Sequence, residues 1–506
     1  MHVLLLGPRY WLDFTPFGHT ETWVPLDAYE TPLDRILADL PAPPDCIIQQ
    51  EHLGTRQFVT GLEHAPCPTF FFAFDAHLNL FWQRHYGRLF DAVLTPHLSL
   101  FQALPPEAAV RNAFRLPPPG IDLAWTGHAD RAHTLAFCGR LAPGRPIRSW
   151  MLALLRDGLN LEHFQDIPPE EVYRLYQDTR IIPNEAICFE TNLRLFEAAS
   201  AGAAVLTPDC GPDQAAVFTE GEEILVYRDG LDLCEKAAWL AAHPEAAETL
   251  GGKARERVQR EHLPRHRATA VLDILSSLSQ SRATGQEAEA LAWLTRLERA
   301  RAGDREYPAR SLLARSETLP QTPEILAGMA HLLGTPSRKE AALSLCASLL
   351  ESGSGTGSLA CDATASALAL AHGDTEIARR FLARHAPGGP VPRTAPDLCL
   401  AWAETHVRAG SVVRPGFAYA PGAGLLPACA LEFLLFARHL CPERETGIKR
   451  EEARILAPFP AYAPYRLSLL ESLRGPASGP DEIRELAREY IFCCRVNEGM
   501  ALLDTL

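Results

Sequence analysis

The stretch Ile181–Thr207, IIPNEAICFETNLRLFEAASAGAAVLT, decides the fold. Leu193, Phe196 and Ala199, flanked by Leu195 and Ala198, recur at helical spacing, and Glu190, Thr191 and Asn192 stand just upstream where an N-cap belongs. The pattern predicts a helix beginning near Asn192 and stopping at Gly202, whose freedom suits a left-handed C-cap. Ala203–Thr207 then reads as a short buried strand closed by Pro208, and Arg180–Ile182 as the strand before the polar loop. Strand, loop, helix, strand is one turn of a parallel α/β sheet.

Such a unit directs unpaired backbone N–H groups and the positive end of a helix dipole at the crevice beyond the strand ends, which suits a phosphate. Glu197 lies inside the helix among apolar neighbours, and a carboxylate there needs a partner such as a ribose hydroxyl or an arginine. The local pattern points to a nucleotide.

The run Asn192-x-Arg194-x-Phe196-Glu197-Ala198, followed by Gly202 and an apolar strand, resembles the donor-site signature of GT-B glycosyltransferases. It is most similar to the bacterial group that includes spore-maturation and flagellin glycosyltransferases. The resemblance continues through Phe218, Gly221, Glu222, Glu223 and Ile224–Tyr227, and upstream through Phe137, Gly139 and Arg140. It covers most of residues 130–275 and, more faintly, the first 130. It implies two Rossmann-like lobes: an acceptor lobe over 1–127 and a nucleotide-sugar donor lobe over 128–280.

Composition sets the frame. A chain of 506 residues is long enough for about three domains, and 47% hydrophobic content supplies their cores. The 62 acidic residues outnumber the 48 basic ones, giving −14, which argues against nucleic-acid or anionic-membrane binding. The thirteen cysteines form no Cys-x-x-Cys and no cluster with histidine, so they read as reduced core residues rather than a metal site or a disulfide framework. Val3–Leu6 is too short and uncharged for a signal peptide, and no stretch is long enough to span a bilayer. The expectation is a cytoplasmic protein.

In the first lobe, Val3–Leu6 reads as a buried strand and Trp11–Trp23 as a long aromatic and polar loop holding His19 and Glu21. Cys46–Ile48 leads into Gln49, Gln50, Glu51 and His52, a polar cluster at a strand's carboxyl end, where open α/β sheets keep their chemistry. Thr69–Phe74 delivers Asp75-Ala76-His77. Two readings stand for this pair: base and orienter, or a helix cap beside a packed histidine. Leu116–Gly120 marks the crossover between lobes.

In the second lobe, Thr134–Cys138 leads to Gly139-Arg140, and the resemblance implies that Arg140 reaches the donor diphosphate. Its alternative is a surface ion pair. Arg145 and Arg148 open the next helix as further phosphate contacts. His163–Ile167 is where related enzymes hold a base, and Asp209, Gly211, Pro212 and Asp213 are expected beside the sugar, or as turn residues.

Residues 276–286 read as a linker, and no convincing strand follows. Glu340 and Glu376, 36 residues apart, open similar helical patterns, so 287–506 is expected to be an α-solenoid of tetratricopeptide type, against a plain helical bundle. The fold class is thus α/β followed by all-α. Pro415–Leu426, rich in Gly, Pro and aromatics, is an insertion, either a binding loop or a mobile one.

The implied activity moves a sugar from a nucleotide-sugar donor, UDP- or GDP-linked, to an acceptor hydroxyl. The candidate donor contacts are Gly139, Arg140, Arg148, Glu190, Thr191, Asn192, Arg194 and Glu197. The candidate bases are His77, Asp75 and Glu51 in that order. No Asp-x-Asp pair stands at a convincing strand exit, so no metal and no other cofactor is expected. Many retaining relatives carry two glutamates with seven residues between them; eight before Glu197 is Phe189, with Glu190 one residue off, which leaves retention or inversion open. The expected acceptor is a Ser or Thr hydroxyl on a protein such as flagellin, recruited by the helical domain. The alternatives are transfer to a polysaccharide or lipid-linked saccharide, and a non-catalytic scaffold on the same fold.

Overall fold

The computed structural model describes every residue except Leu53, Thr126, His128, Ala129, Asp130, Pro387 and Ala477. The expected lobe junction at 127 and 128 therefore falls partly outside the described residues. Around Asn192 the chain folds as its pattern predicts. Strand Thr179–Pro183 enters the loop, Asn192 caps helix Leu193–Ser200 by accepting from the Leu195 amide at 3.3 Å, and strand Ala204–Pro208 follows. Gly202 has φ +68, and a Cβ there would lie 2.1 Å from the Trp125 ring, so glycine is needed on both counts.

That unit belongs to a five-stranded parallel sheet in the order Glu162–Phe164, His133–Cys138, Thr179–Pro183, Ala204–Pro208, Leu225–Tyr227. Its order reverses between His133–Cys138 and Thr179–Pro183, so the crevice at their carboxyl ends is a topological switch point. The first lobe is a six-stranded parallel sheet in the order Thr20–Val24, His2–Leu6, Cys46–Gln50, Thr69–Phe72, Ala92–Thr95, Ala113–Arg115. Its central strands are buried on both faces, which is why they read as unbroken apolar runs. Trp11–Trp23 is not all loop: Thr20–Val24 pairs in register with His2–Leu6 as the edge strand, and its alternating polar side chains hid it.

The lobes are held together in two ways. Asp213, buried in the second lobe, accepts from the amide and hydroxyl of Ser99 at 3.1 and 2.5 Å and from Arg115 at 3.1 Å, all in the first. It therefore latches the lobes and does not line a sugar site. Helix Pro264–Ser277 crosses back and puts Ala268 and Val271 into the first lobe's core. The segment expected as a linker is pinned, because Arg282 pairs with the buried Asp91 at 3.0 Å and the Ser281 amide donates to the same carboxylate.

From Gly285 onward the described residues form helices and short turns that pack chiefly on their sequence neighbours. No helix among the described residues is long and apolar enough to cross a membrane.

Candidate active site

A cleft of about 520 Å³ opens at the switch point, between the lobes. Its polar walls are Asp75 and His77 from the first lobe and Arg145, Glu190, Arg194 and Glu197 from the second.

Arg194 extends from the first turn of helix Leu193–Ser200 across the face of Phe137, 4.2 Å from its centroid. Its Nη1 donates to Asn184 Oδ1 at 3.2 Å and its Nη2 to the Cys138 carbonyl at 3.1 Å, while the buried Nε has no partner. It forms no ion pair among the described residues. A guanidinium held by neutral oxygens at a strand switch point is a site prepared for an anion. Gly139 makes room for it, since a Cβ there would meet Arg194 Nη2 at 2.9 Å. Gly139 is thus a spacing residue rather than part of the cleft wall.

Glu197 lies one turn further along the same helix and faces the cleft. Burial pushes its carboxyl up, and the Arg194 guanidinium opposes this. Arg145, at the start of helix Pro146–Leu159, likewise forms no ion pair among the described residues. Arg148 lines the cleft but gives its Nε and Nη2 to the buried Glu185 at 2.8 and 2.6 Å, so its charge is spent inside the lobe. Asn192 donates its amide to Asn184 Oδ1 and the Glu185 carbonyl, both at 3.1 Å, which fixes the donor loop to the helix it caps. Thr191 is buried behind the wall with its hydroxyl unpartnered.

The expectation for Arg140 is corrected. Arg140 does not reach the cleft: its side chain is 82% exposed and pairs with Asp166 at 2.6 Å, the surface alternative. His163, from strand Glu162–Phe164, donates Nε2 to the Gly139 carbonyl at 2.8 Å, which holds that turn.

On the first-lobe side, Glu51 lies behind the cleft wall. Its Oε2 accepts from the Asp75 amide at 2.8 Å and its Oε1 from Asn79 and Gln83 at 2.9 and 2.7 Å, so it caps helix Ala76–Tyr86 from outside. A base cannot act while walled in by its donors, and Glu51 is corrected to a structural residue. Burial, with the like charge of Asp75, pushes its carboxyl up from 4.5 to about 8. The folded protein holds this proton more tightly than the unfolded chain. Its contribution to stability is therefore full below about pH 4.5 and lost as pH rises through about 8. Glu51→Ala is expected to cost about 1–3 kcal/mol by orphaning three donors, the buried Gln83 among them, whereas Glu51→Gln loses less because its one amide oxygen still accepts from Asn79 and Gln83. Chemical denaturation at pH 6 and pH 9 checks both, and a Gln variant as weak as the Ala one would contradict the capping role.

Because Glu51 does the capping, the Asp75 carboxylate makes no cap bond and is left facing the cleft. Burial pushes it up to about 6, with Arg145 opposing. His77 is buried, with Nε2 3.3 Å from Glu190 Oε2 and its ring 4.9 Å from that of His97. Burial and the neighbouring His97 and Arg145 hold it neutral, and its Nδ1 has no partner. Glu190 is pushed up to about 7 by burial and then by Asp75, against Arg145. The His77–Glu190 contact spans the two lobes. His77, His97 and Glu190 also place three metal-capable atoms within 4.8 Å of one another.

Residues 126–273, most of the second lobe, match a family described as glycosyl transferase-like. Similar solved structures include sucrose-phosphate synthase from Thermosynechococcus elongatus, at 15% identity over 48% of this chain and 76% of that one, with a TM-score of 0.37. HepE from Anabaena, in complex with UDP-glucose, is 12% identical over 55% and 100%, at 0.40. TarM from S. aureus, with UDP bound, is 11% identical over 45% of this chain and 55% of its own length, at 0.36. No curated protein matches the sequence. Two parallel α/β lobes facing across a cleft are the GT-B arrangement.

Proposed function

We propose that this protein transfers a sugar from a nucleoside-diphosphate sugar to an acceptor hydroxyl in the interlobe cleft. The observation that carries the reading is Arg194, a cation without an ion-pair partner among the described residues, at the switch point and one turn before a cleft-facing Glu197. Arg194 and Arg145 would take the diphosphate and steady the charge that grows on it as the glycosidic bond breaks. Glu197 would accept from the ribose hydroxyls, and His77 with Glu190 would face the sugar. Asp75 moves ahead of His77 as the base for the acceptor, because His77 Nε2 is engaged by Glu190 and its Nδ1 is buried, while Asp75 is open to the cleft.

The finer reading is that the acceptor is a Ser or Thr hydroxyl on a protein such as flagellin, recruited by the helical region. What supports it is a cavity of about 340 Å³ among the last helices, where Arg450, Arg454 and Arg474 together with Glu482 and Glu485 surround apolar Ala453, Leu470 and Leu473, a mixed polar and apolar surface suited to a peptide. The same cleft would serve a saccharide acceptor.

Thermal-shift and calorimetric titration against UDP, GDP, CMP and dTDP and their sugar conjugates, with and without EDTA, tests the core of this proposal. One nucleotide is expected to bind with EDTA present; at about 100 times its dissociation constant it adds about 2.7 kcal/mol of stability. Binding that EDTA abolishes would transfer the role of the arginines to a metal at His77, His97 and Glu190. No binding at all would favour the scaffold.

A further inference from the structure

The turn that carries Glu190 is strained in its middle. Cys188 and Phe189 are consecutive non-glycine residues at φ 47 and 60, a left-handed conformation that L side chains disfavour and that persists only where the surroundings impose it. The second lobe holds the ends of this loop. Tyr227 donates to the Asn184 carbonyl at 2.8 Å, and Asn192 is the helix cap. The hydrogen bonds of the turn itself are internal, from the Phe189 amide to Ala186 and from the Glu190 amide to Ile187.

What lies against the middle is chiefly the helical region, with the first lobe's helix Ala76–Tyr86 touching the same turn. The Phe189 ring stacks on Phe492 at 6.4 Å and 27°, at the end of helix Pro480–Phe492, and the turn Pro460–Tyr462 covers Ile187–Phe189. Just beyond Phe492, Cys494 enters the second lobe's core, and Gly230 has no room for a Cβ beside it. The contact is thus fixed in place.

The same region also holds the helix that carries His77. Helix Gly285–Arg301 packs along Ala76–Tyr86, with Ala288 and Leu291 in the first lobe's core. Phe417 packs on Phe81 at 5.4 Å, and a Cβ on Gly416 would lie 1.9 Å from the Leu78 carbonyl, one residue after His77. The Pro415–Leu426 insertion is therefore a packing element between domains.

We propose that the helical region is a brace that sets the spacing of His77 and Glu190 across the lobes, with Phe189 and Phe492 as positioning residues. The interest of that spacing for sugar transfer rests on the reading of the cleft given above; the brace itself does not. It gives the helices a second task beside any recruitment of an acceptor.

The test uses the full chain without substrate. Hydrogen–deuterium exchange is followed over residues 184–192 in Phe492→Ala, Phe189→Ala and Phe492→Tyr, together with the ring 15N resonances of His77, assigned by its loss in His77→Gln. The amides of 187–190 are expected to exchange at least about tenfold faster in both alanine variants, with the His77 resonances shifted, and both readouts are expected to recover in Phe492→Tyr. Unchanged exchange or unchanged His77 resonances in the alanine variants would overturn the brace. So would acceleration spread evenly over the strands of both lobes, which marks general packing. A wild-type protein that binds no nucleotide sugar would overturn the transferase reading and leave these outcomes standing.

Discussion

Arg194→Gln is expected to weaken nucleotide binding about 100-fold, or about 3 kcal/mol. The argument rests on what surrounds the guanidinium. It is held by Asn184 Oδ1 and the Cys138 carbonyl, its Nε is buried without a partner, and it forms no ion pair among the described residues. A diphosphate would meet a positive charge that is already oriented and partly buried, so little reorganisation opposes binding. Arg194→Lys keeps the charge but loses the planar fork and the stacking on Phe137, and an intermediate loss of about tenfold is expected. Arg140→Gln is the discriminating control. The resemblance points to Arg140 as the diphosphate ligand, but an exposed side chain paired with Asp166 should change affinity by no more than about twofold. Calorimetry with the nucleotide that binds decides between them. If Arg140→Gln lost affinity and Arg194→Gln did not, the anion site would have to be moved to the rim of the lobe.

The contrast between these two arginines shows where sequence reading reaches and where it stops. The helix over Leu193–Ser200 was legible because cap, apolar stripe and following glycine are local signals, each within a few residues of the feature it sets. So was the gathering of Asp75, His77, Glu190, Arg194 and Glu197 at one crevice, since residues at strand exits of a parallel sheet face the same end. Whether such a residue turns into the crevice depends on distant partners. Arg140 turns outward to Asp166, and Glu51 is captured by Asn79 and Gln83. Asn79 and Gln83 stand four apart on one helical face beside Asp75, a polar pair on an otherwise buried surface, and that spacing was the available signal for a buried acceptor. Asp213 was expected near the sugar, or in a turn, because it follows the strand after Glu197, but its partners Ser99 and Arg115 lie in the other lobe. The stacking of Phe492 on Phe189 leaves no local trace, because the two residues are far apart in sequence and meet only after three bodies have packed.

The second large effect concerns Asp75. Asp75→Asn is expected to lower sugar transfer about 10²–10⁴-fold, the usual contribution of a general base, with nucleotide affinity unchanged. The pH dependence has a definite sign. A base acts ionised, so with Asp75 pushed up to about 6 the wild-type rate is expected to fall as pH drops through 6, and the Asn variant to lose that dependence and keep only the one that Glu190 imposes. Glu190 is pushed up to about 7, partly by Asp75, so the two carboxyls titrate as a coupled pair. Between about pH 6 and 7 the pair passes through a singly ionised state, in which one carboxylate can take a proton from the acceptor and the other carboxyl can donate a hydrogen bond. With Asp75 as the base, Glu190→Gln should leave the inflection near 6 in place. Asp75→Asn, by removing a negative neighbour, should lower the pH at which Glu190 ionises. Initial rates across pH 5–9 for the three proteins separate these assignments. If Glu190→Gln removed the inflection while Asp75→Asn kept it, Glu190 would be the ionising group in catalysis, and the acceptor would be activated from the second lobe.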